Sequence, residues 1–126
     1  MLLGSLEAKR DWGYAPEYVD AMWRMLQQRE PVDYVIGTGV QHTVQQCVDI
    51  AFRHVGLDPS DFVRVDPDLI RPAEVDLLLA DATKARESLG WRAETNFEKL
   101  VGIMVEADLE RQERSSGRRR GQGESR

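Results

Sequence analysis

The chain has 126 residues, of which 41% are hydrophobic and 31% charged, with 17 Lys and Arg against 22 Asp and Glu. This composition suits one small folded domain or a piece of a larger one, and it excludes a disordered or low-complexity protein. No apolar run reaches the roughly 20 residues that span a bilayer. The single cysteine excludes an internal disulfide and, with only two histidines, a four-ligand zinc site. We therefore expect a cytoplasmic protein without membrane contact or bound metal.

The net charge of −5 is unevenly distributed. Residues 111–126 carry six arginines against two glutamates, a net charge of +4, which leaves −9 for residues 1–110. The acidic body argues against nucleic acid as a partner. The last sixteen residues contain no apolar side chain, so we predict a folded unit over 1–110 and a disordered basic tail over 111–126.

The first half of the chain predicts two helices separated by a strand. Pro16 and Glu17 suit a first helical turn, and apolar residues recur at helical spacing until Pro31. Residues 33–36 have the composition of a short strand, which ends in Gly-Thr-Gly. A second apolar helical stripe covers 44–55 and ends before Gly56, with Cys47 packing beside it.

The second half continues the alternation. Residues 62–65 and 74–80 have the composition of strands, and Asp81 can begin a short helix that Gly90 ends, with Trp91 packing behind it. Thr95 and Glu98 have the spacing of a capping box before a last helix with one apolar face. The predicted fold class is α/β.

The Gly37-Thr38-Gly39 turn follows a predicted strand and precedes a helix, as a phosphate-binding turn does. The dinucleotide fingerprint requires a third glycine at position 42, where this chain has histidine. We therefore expect His42 to support the start of the helix, and His54 to interact with the carboxyl end of the same helix. The sequence contains neither Gly-x-Ser-x-Gly nor Tyr-x-x-x-Lys, so no catalytic residue is predicted.

Phosphate recognition has better support. Arg10 lies in a glycine-containing loop, and Arg71-Pro72-x-Glu74 precedes a predicted strand. A guanidinium grips phosphate through two hydrogen bonds, and a carboxylate accepts from a guanine or ribose edge. A surface ion pair between Arg71 and Glu74 explains the same spacing.

Several stretches resemble the family of GDP-mannose 4,6-dehydratases, within the extended short-chain dehydrogenase/reductases. Residues 3–13 read Leu-Gly-Ser-Leu-Glu-Ala-Lys-Arg-Asp-Trp-Gly, where the family has Leu-Gly-Asn-Leu-Asp-Ala-Lys-Arg-Asp-Trp-Gly. Residues 71–81, Arg-Pro-Ala-Glu-Val-Asp-Leu-Leu-Leu-Ala-Asp, and the Leu-Gly-Trp at 89–91 continue the resemblance. The match extends from residue 2 to about residue 110 and ends with Met-Val-Glu-Ala-Asp-Leu.

The resemblance implies the carboxy-terminal part of such an enzyme: a late Rossmann strand and helix plus a small substrate-binding α/β subdomain. Residues 33–36 would be the late strand of the shared sheet. By the same resemblance, Arg10, Arg71 and Glu74 hold the GDP part of GDP-mannose. The family binds NADP through an amino-terminal Rossmann half that this sequence does not show, so no cofactor is expected for this chain alone.

The full-length family is a lyase that converts GDP-mannose to GDP-4-keto-6-deoxymannose, the precursor of GDP-fucose. The resemblance thus implies the substrate-binding portion of that enzyme, inactive by itself, whose partners are GDP-mannose or GDP and the Rossmann half. A homo-oligomer is expected for the full-length enzyme. The alternative is a truncated, free-standing module that binds a nucleotide sugar or a partner without catalysis.

Overall fold

Two short strand pairs and four α-helices form the part of the chain that the computed structural model describes, residues 1–70 and 79–121. Short 3-10 turns at Pro59–Asp61 and Pro67–Leu69 flank the last strand. This mixture confirms the predicted α/β class. The elements in chain order are β1 (Leu2–Leu3), β2 (Lys9–Asp11), α1 (Ala15–Leu26), β3 (Gln41–Thr43), α2 (Val44–His54), β4 (Arg64–Val65), α3 (Thr83–Leu89) and α4 (Phe97–Gly121).

The β1–β4 pair is parallel, with Leu2 opposite Arg64 and Leu3 opposite Val65. A backbone bond from Arg64 N to the Met1 carbonyl (3.0 Å) extends the pairing at one end. The strand expected at 62–65 is thus confirmed in its second half.

The β2–β3 pair is antiparallel, and we call it the ribbon. Its register places Lys9 opposite Thr43, Arg10 opposite His42 and Asp11 opposite Gln41. Beyond β3, the N–H of Val44 donates to the Ala8 carbonyl at 3.1 Å, so the ribbon leads directly into α2.

Helix α1 begins as predicted, with proline in its first turn and Glu17 close behind. Its inward face meets a core cluster formed by Ala21, Ala85, Leu89 and Trp91. Trp91 is 2% exposed, and its indole N–H donates to the Glu17 carbonyl at 2.8 Å. The expectation that Trp91 packs behind the end of α3 is therefore confirmed.

Helix α3 ends at Gly90 as the sequence predicts, whereas its N-cap is Ala82 rather than the expected Asp81. The Asp81 carboxylate accepts a hydrogen bond from Thr83 N at 3.0 Å, and Gly90 follows the helix with a φ of +61°. Left-handed backbone of this kind favours glycine. The Arg24 guanidinium donates to the carbonyls of Leu89 and Gly90, which ties α1 to the carboxyl end of α3.

Helix α2 packs against α4. A capping box begins α2, since Thr43 Oγ1 accepts from Gln46 N at 3.0 Å and Gln46 Oε1 accepts from Thr43 N at 2.9 Å. The buried apolar side chains of this layer are Val48, Phe97, Leu100 and Val101.

The capping box predicted for α4 is wrong. The helix begins at Phe97, and Asn96 Oδ1 accepts from Lys99 N at 2.9 Å, so Asn96 occupies the capping position. Thr95 lies one residue before this cap, and its hydroxyl donates to Glu17 Oε1 at 2.6 Å.

The strand predicted at 33–36 is also wrong. These residues are not in a strand, and no strand among the described residues runs beside them. Tyr34 and Ile36 instead pack against the core cluster, and Lys84 Nζ donates to the Asp33 carbonyl at 2.8 Å. β-Forming side chains need a neighbouring strand to satisfy their backbone groups.

The strand predicted at 74–80 falls mostly outside the described residues, and Leu79 and Ala80 are not in a strand. Helix α4 continues to Gly121, where composition predicts disorder. Its Arg, Glu and Gln residues are good helix formers, and ion pairs Arg111–Asp108 (2.5 Å) and Arg114–Glu110 (2.7 Å) follow helical spacing. The division into units at residue 110 stays a prediction.

Of the helices in the described ranges, none combines the length and apolar character needed to cross a bilayer.

Candidate functional site

Arg10 lies in the middle of β2 and is half-buried. Its Nη1 donates to the Lys9 carbonyl at 2.6 Å. Because opposed residues of an antiparallel pair point to the same face, Arg10 shares a ribbon face with His42. Arg71 and Glu74, the other two predicted substrate-binding residues, lie outside the described residues, so their placement stays a prediction.

Asp11, the next residue of β2, binds the loop that precedes β3. Its Oδ1 accepts from Thr38 N at 3.0 Å and from Thr38 Oγ1 at 2.5 Å, while Oδ2 accepts from Gly39 N at 2.9 Å. The backbone donors of the Gly-Thr-Gly turn therefore hold a carboxylate of the chain itself. A phosphate at this turn would have to displace Asp11.

The loop glycines are required by this arrangement. Gly39 has a φ of +75°, and a Cβ on Gly37 would lie 2.9 Å from Asp11 Oδ2 and 2.3 Å from the Ala80 Cβ. The turn therefore packs against Ala80.

An open cavity of about 590 Å³ lies between the ribbon, α2 and the loop before α4. Its volume is in the range of small-molecule sites. Aromatic rings form one wall: His42 stacks on Phe97 with centroids 4.0 Å apart, and Trp12 lies 6.0 Å from Phe97. The polar lining side chains include Thr38, Gln46, Asp49, Arg53, Glu94, Thr95, Asn96 and Glu98.

Sequence reasoning missed this cavity. Its lining comes from the ribbon, the glycine loop, α2 and residues 93–98, so no local motif marks it. The expected role of His42 in supporting the start of α2 is compatible with its place in β3, directly before the capping Thr43. His54 lies 3.2 Å from Glu106 and so pairs with α4.

Tyr18 lies near Asp11 of the ribbon. Burial raises the pKa of Tyr18, and the negative charges of Asp11 and Glu17 raise it further. A catalytic tyrosine base needs a shift in the opposite direction. Within the described ranges, no three His, Cys, Asp or Glu side chains converge as metal ligands would.

Sequence comparison places these features in a family context. A family model described as GDP-mannose 4,6 dehydratase matches residues 1–104. GDP-mannose 4,6 dehydratase 2 of Arabidopsis thaliana is 53% identical over 110 residues, covering 87% of this chain and 30% of the relative. The Homo sapiens GDP-mannose 4,6 dehydratase is 43% identical over 125 residues, covering 86% of this chain and 34% of the relative. The chain thus spans about a third of the length of these relatives.

Solved structures agree with the fold. UDP-glucose 4-epimerase of Thermotoga maritima, solved with UDP-glucose, superposes with a TM-score of 0.75 and 28% identity, covering 86% of this chain and 34% of the epimerase. The dTDP-glucose 4,6-dehydratase of Bacillus anthracis, solved with NAD, gives 0.72 and 20%, with 83% and 33% covered. These neighbours confirm the predicted extended short-chain dehydrogenase class. With a family match over 104 of 126 residues, the chain belongs to the GDP-mannose 4,6-dehydratase family.

Proposed function

We propose that this chain is the GDP-mannose-binding portion of a GDP-mannose 4,6-dehydratase. The observation that carries the proposal is the family match over residues 1–104, which includes the Lys-Arg-Asp-Trp-Gly stretch at 9–13. That stretch forms β2 and its continuation, so the ribbon fixes Arg10 beside His42 rather than leaving it on a free loop.

In this proposal, Arg10 and Arg71 bind the pyrophosphate of GDP-mannose. Guanidinium groups suit that role because they remain charged and offer paired donors to phosphate oxygens. Glu74 accepts from the guanine or ribose edge. Binding energy from the nucleotide then positions the mannose for reaction.

The reacting groups belong to a Rossmann portion supplied by further polypeptide. NADP bound there would supply the hydride-transfer chemistry of the reaction, while Arg10, Arg71 and Glu74 would hold the nucleotide part of the substrate. The NAD in the Bacillus anthracis structure supports a nicotinamide cofactor for the complete enzyme. In this sequence we find neither the glycine fingerprint nor Tyr-x-x-x-Lys.

An exposed apolar stripe on α1 supports docking of that Rossmann portion. Val19, Met22, Trp23 and Leu26 follow helical spacing and are 61%, 58%, 61% and 82% exposed. Apolar stripes of this kind mark interaction surfaces. The match covers 30% and 34% of these two relatives, so most of their chain lies outside it. That additional chain is sufficient to cover the stripe.

Activity tests the enzymatic part of the proposal. The purified chain incubated with GDP-mannose and NADP should form no 4-keto product. The same chain joined to the amino-terminal Rossmann portion of the Arabidopsis relative should form it. Turnover by the chain alone would overturn the proposal, whereas an inactive joined protein that binds GDP would favour the free-standing binding module.

Calorimetric titration of GDP tests the proposed GDP site formed by Arg10, Arg71 and Glu74, which we call the GDP grip. Charge-assisted hydrogen bonds contribute about 1.5–3 kcal/mol each, so Arg71→Ala and Arg10→Ala should each weaken binding about 10- to 150-fold. Arg71→Lys should recover only part of the loss because an ammonium lacks the planar fork. Arg114→Ala, exposed on α4, is the matched control. Equal dissociation constants for wild type and Arg71→Ala would make the surface ion pair the better account of Arg71 and Glu74.

A further inference from the structure

Asp11 directly follows Arg10, the described residue of the proposed grip, in β2. Its carboxylate receives three hydrogen bonds, two of them from backbone N–H groups of the Gly-Thr-Gly turn. A ribbon of three residues per strand has little stability of its own. The carboxylate therefore anchors the end of β2 directly beside Arg10.

The same turn contacts Ala80. Gly37 lies so close to Ala80 that an added Cβ would approach the Ala80 Cβ to 2.3 Å, and one on Gly39 would lie 3.5 Å from the Ala80 carbonyl oxygen. The turn is thus packed between β2 and Ala80.

Thr38 completes the connection. Its hydroxyl donates to Asp11 at 2.5 Å and accepts from Val40 N at 3.1 Å, just before β3 begins. One side chain therefore links the Asp11 carboxylate to the start of the strand that pairs with Arg10.

We propose that Asp11 is a positioning residue, which clamps the Gly37–Gly39 turn and so holds Arg10 in a fixed relation to the chain around Ala80. The inference rests on the proposed GDP grip, since it assigns Asp11 an effect on affinity through Arg10. Asp11 acts through the turn in this proposal, because its carboxylate accepts three hydrogen bonds from Thr38 and Gly39.

The test is a calorimetric titration of GDP against the full chain and a set of variants. Asp11→Asn replaces one acceptor oxygen by an NH₂ group that faces a backbone N–H donor of the turn, so affinity should fall about 5- to 30-fold. Thr38→Val keeps the volume but loses the hydroxyl and should weaken binding in the same direction. Thr38→Ser keeps the hydroxyl and should restore affinity to near the wild-type value.

A double variant separates positioning from general destabilisation. If Asp11 acts through Arg10, adding Asp11→Asn to Arg10→Ala should weaken GDP binding no further. Asp61→Asn, at an exposed 3-10 turn, controls for the loss of one negative charge. Circular dichroism of each variant identifies any that do not fold, and the Thr38 pair then decides the outcome.

The outcomes distinguish this inference from the function on which it rests. Wild-type affinity in Asp11→Asn or Thr38→Val, or an equal further loss in the Arg10→Ala background, would overturn the positioning role and leave the grip intact. Absence of GDP binding by the wild type, or a Kd unchanged by Arg10→Ala, would overturn the grip and the positioning role together.

Discussion

Glu17 binds Thr95, 78 residues further along the chain, through two hydrogen bonds to one carboxylate oxygen. Glu17 Oε1 accepts from Thr95 N at 2.9 Å and from Thr95 Oγ1 at 2.6 Å, while its backbone carbonyl accepts from the Trp91 indole. The first turn of α1 is thereby joined to the loop that leads into α4.

Replacing Glu17 by alanine should lower the free energy of unfolding by about 2 kcal/mol, because Thr95 is buried and its N–H and hydroxyl would lose their partner. Urea unfolding followed by circular dichroism measures the change. Glu87→Ala, exposed on α3, should stay within about 0.5 kcal/mol of wild type. Equal losses in both variants would contradict the role assigned to Glu17.

The two tryptophans Trp91 and Trp23 offer a matched comparison. Trp91 is 2% exposed and donates to Glu17, whereas Trp23 is 61% exposed. Trp91→Phe should cost about 1–3 kcal/mol from lost volume and a lost hydrogen bond. Trp23→Phe should change the unfolding midpoint of the chain little, and a larger loss for Trp23 than for Trp91 would refute the core described above.

The identity of the α4 cap is testable by three substitutions. Asn96→Ala should cost about 1 kcal/mol, and Asn96→Asp should retain most of the stability because a carboxylate can accept from Lys99 N. Glu98→Ala should have little effect, since its ion pair with Arg53 is 3.9 Å long and exposed. If Glu98→Ala lowered the unfolding temperature more than Asn96→Ala, the result would favour the Thr95–Glu98 capping box over Asn96 as the cap.

Cys47 should react slowly with iodoacetamide. Burial raises the pKa of its thiol above the ordinary 9.0, because desolvation disfavours the thiolate. The pH profile of alkylation should have its midpoint above that of the urea-unfolded chain, with the reaction accelerating as the pH rises. By the same shift, the protonated Cys47 thiol makes a contribution to the free energy of unfolding. That contribution is fully present below pH 9.0 and is lost as the pH rises through the raised pKa. Coincident midpoints for the folded and unfolded chain would contradict this.

We expect the chain to lose stability at low pH partly through protonation of Asp58 and Asp81. A backbone hydrogen bond from Ser60 lowers the pKa of Asp58, and hydrogen bonds from Thr83, led by its side chain, lower that of Asp81. Their contribution to stability is present above the ordinary 3.8 and is lost as the pH falls through the depressed folded values. Carboxyl NMR titration should show both midpoints below 3.8, and Asp81→Asn should remove its share of the acid sensitivity.

Local patterns predicted local structure well. The apolar spacing of α1 and α2 is a property of neighbouring turns, and the left-handed residue after α3 is marked by glycine itself. In contrast, the composition of 33–36 shows β propensity but contains no information about whether a partner strand lies beside it.

The ribbon was not predictable from its residues. Lys-Arg-Asp and Gln-His-Thr show no alternation of apolar and polar side chains, and their pairing is completed by Asp11 binding a turn 27 and 28 residues away. Arg10 was indicated by its charge in a glycine-containing loop and by the family resemblance, whereas the aromatic cavity depends on packing between separate elements and left no signal in the sequence.

The long reach of Glu17 has a consequence for synthesis on the ribosome. The first turn of α1 has its hydrogen-bond partners at Trp91 and Thr95, and β1 has its partner at Arg64 and Val65. Residues made first must therefore wait for residues made much later, because distant contacts cannot form until both ends have left the exit tunnel. The side of α1 that carries Ala21 therefore stays uncovered until Ala85, Leu89 and Trp91 have been synthesised.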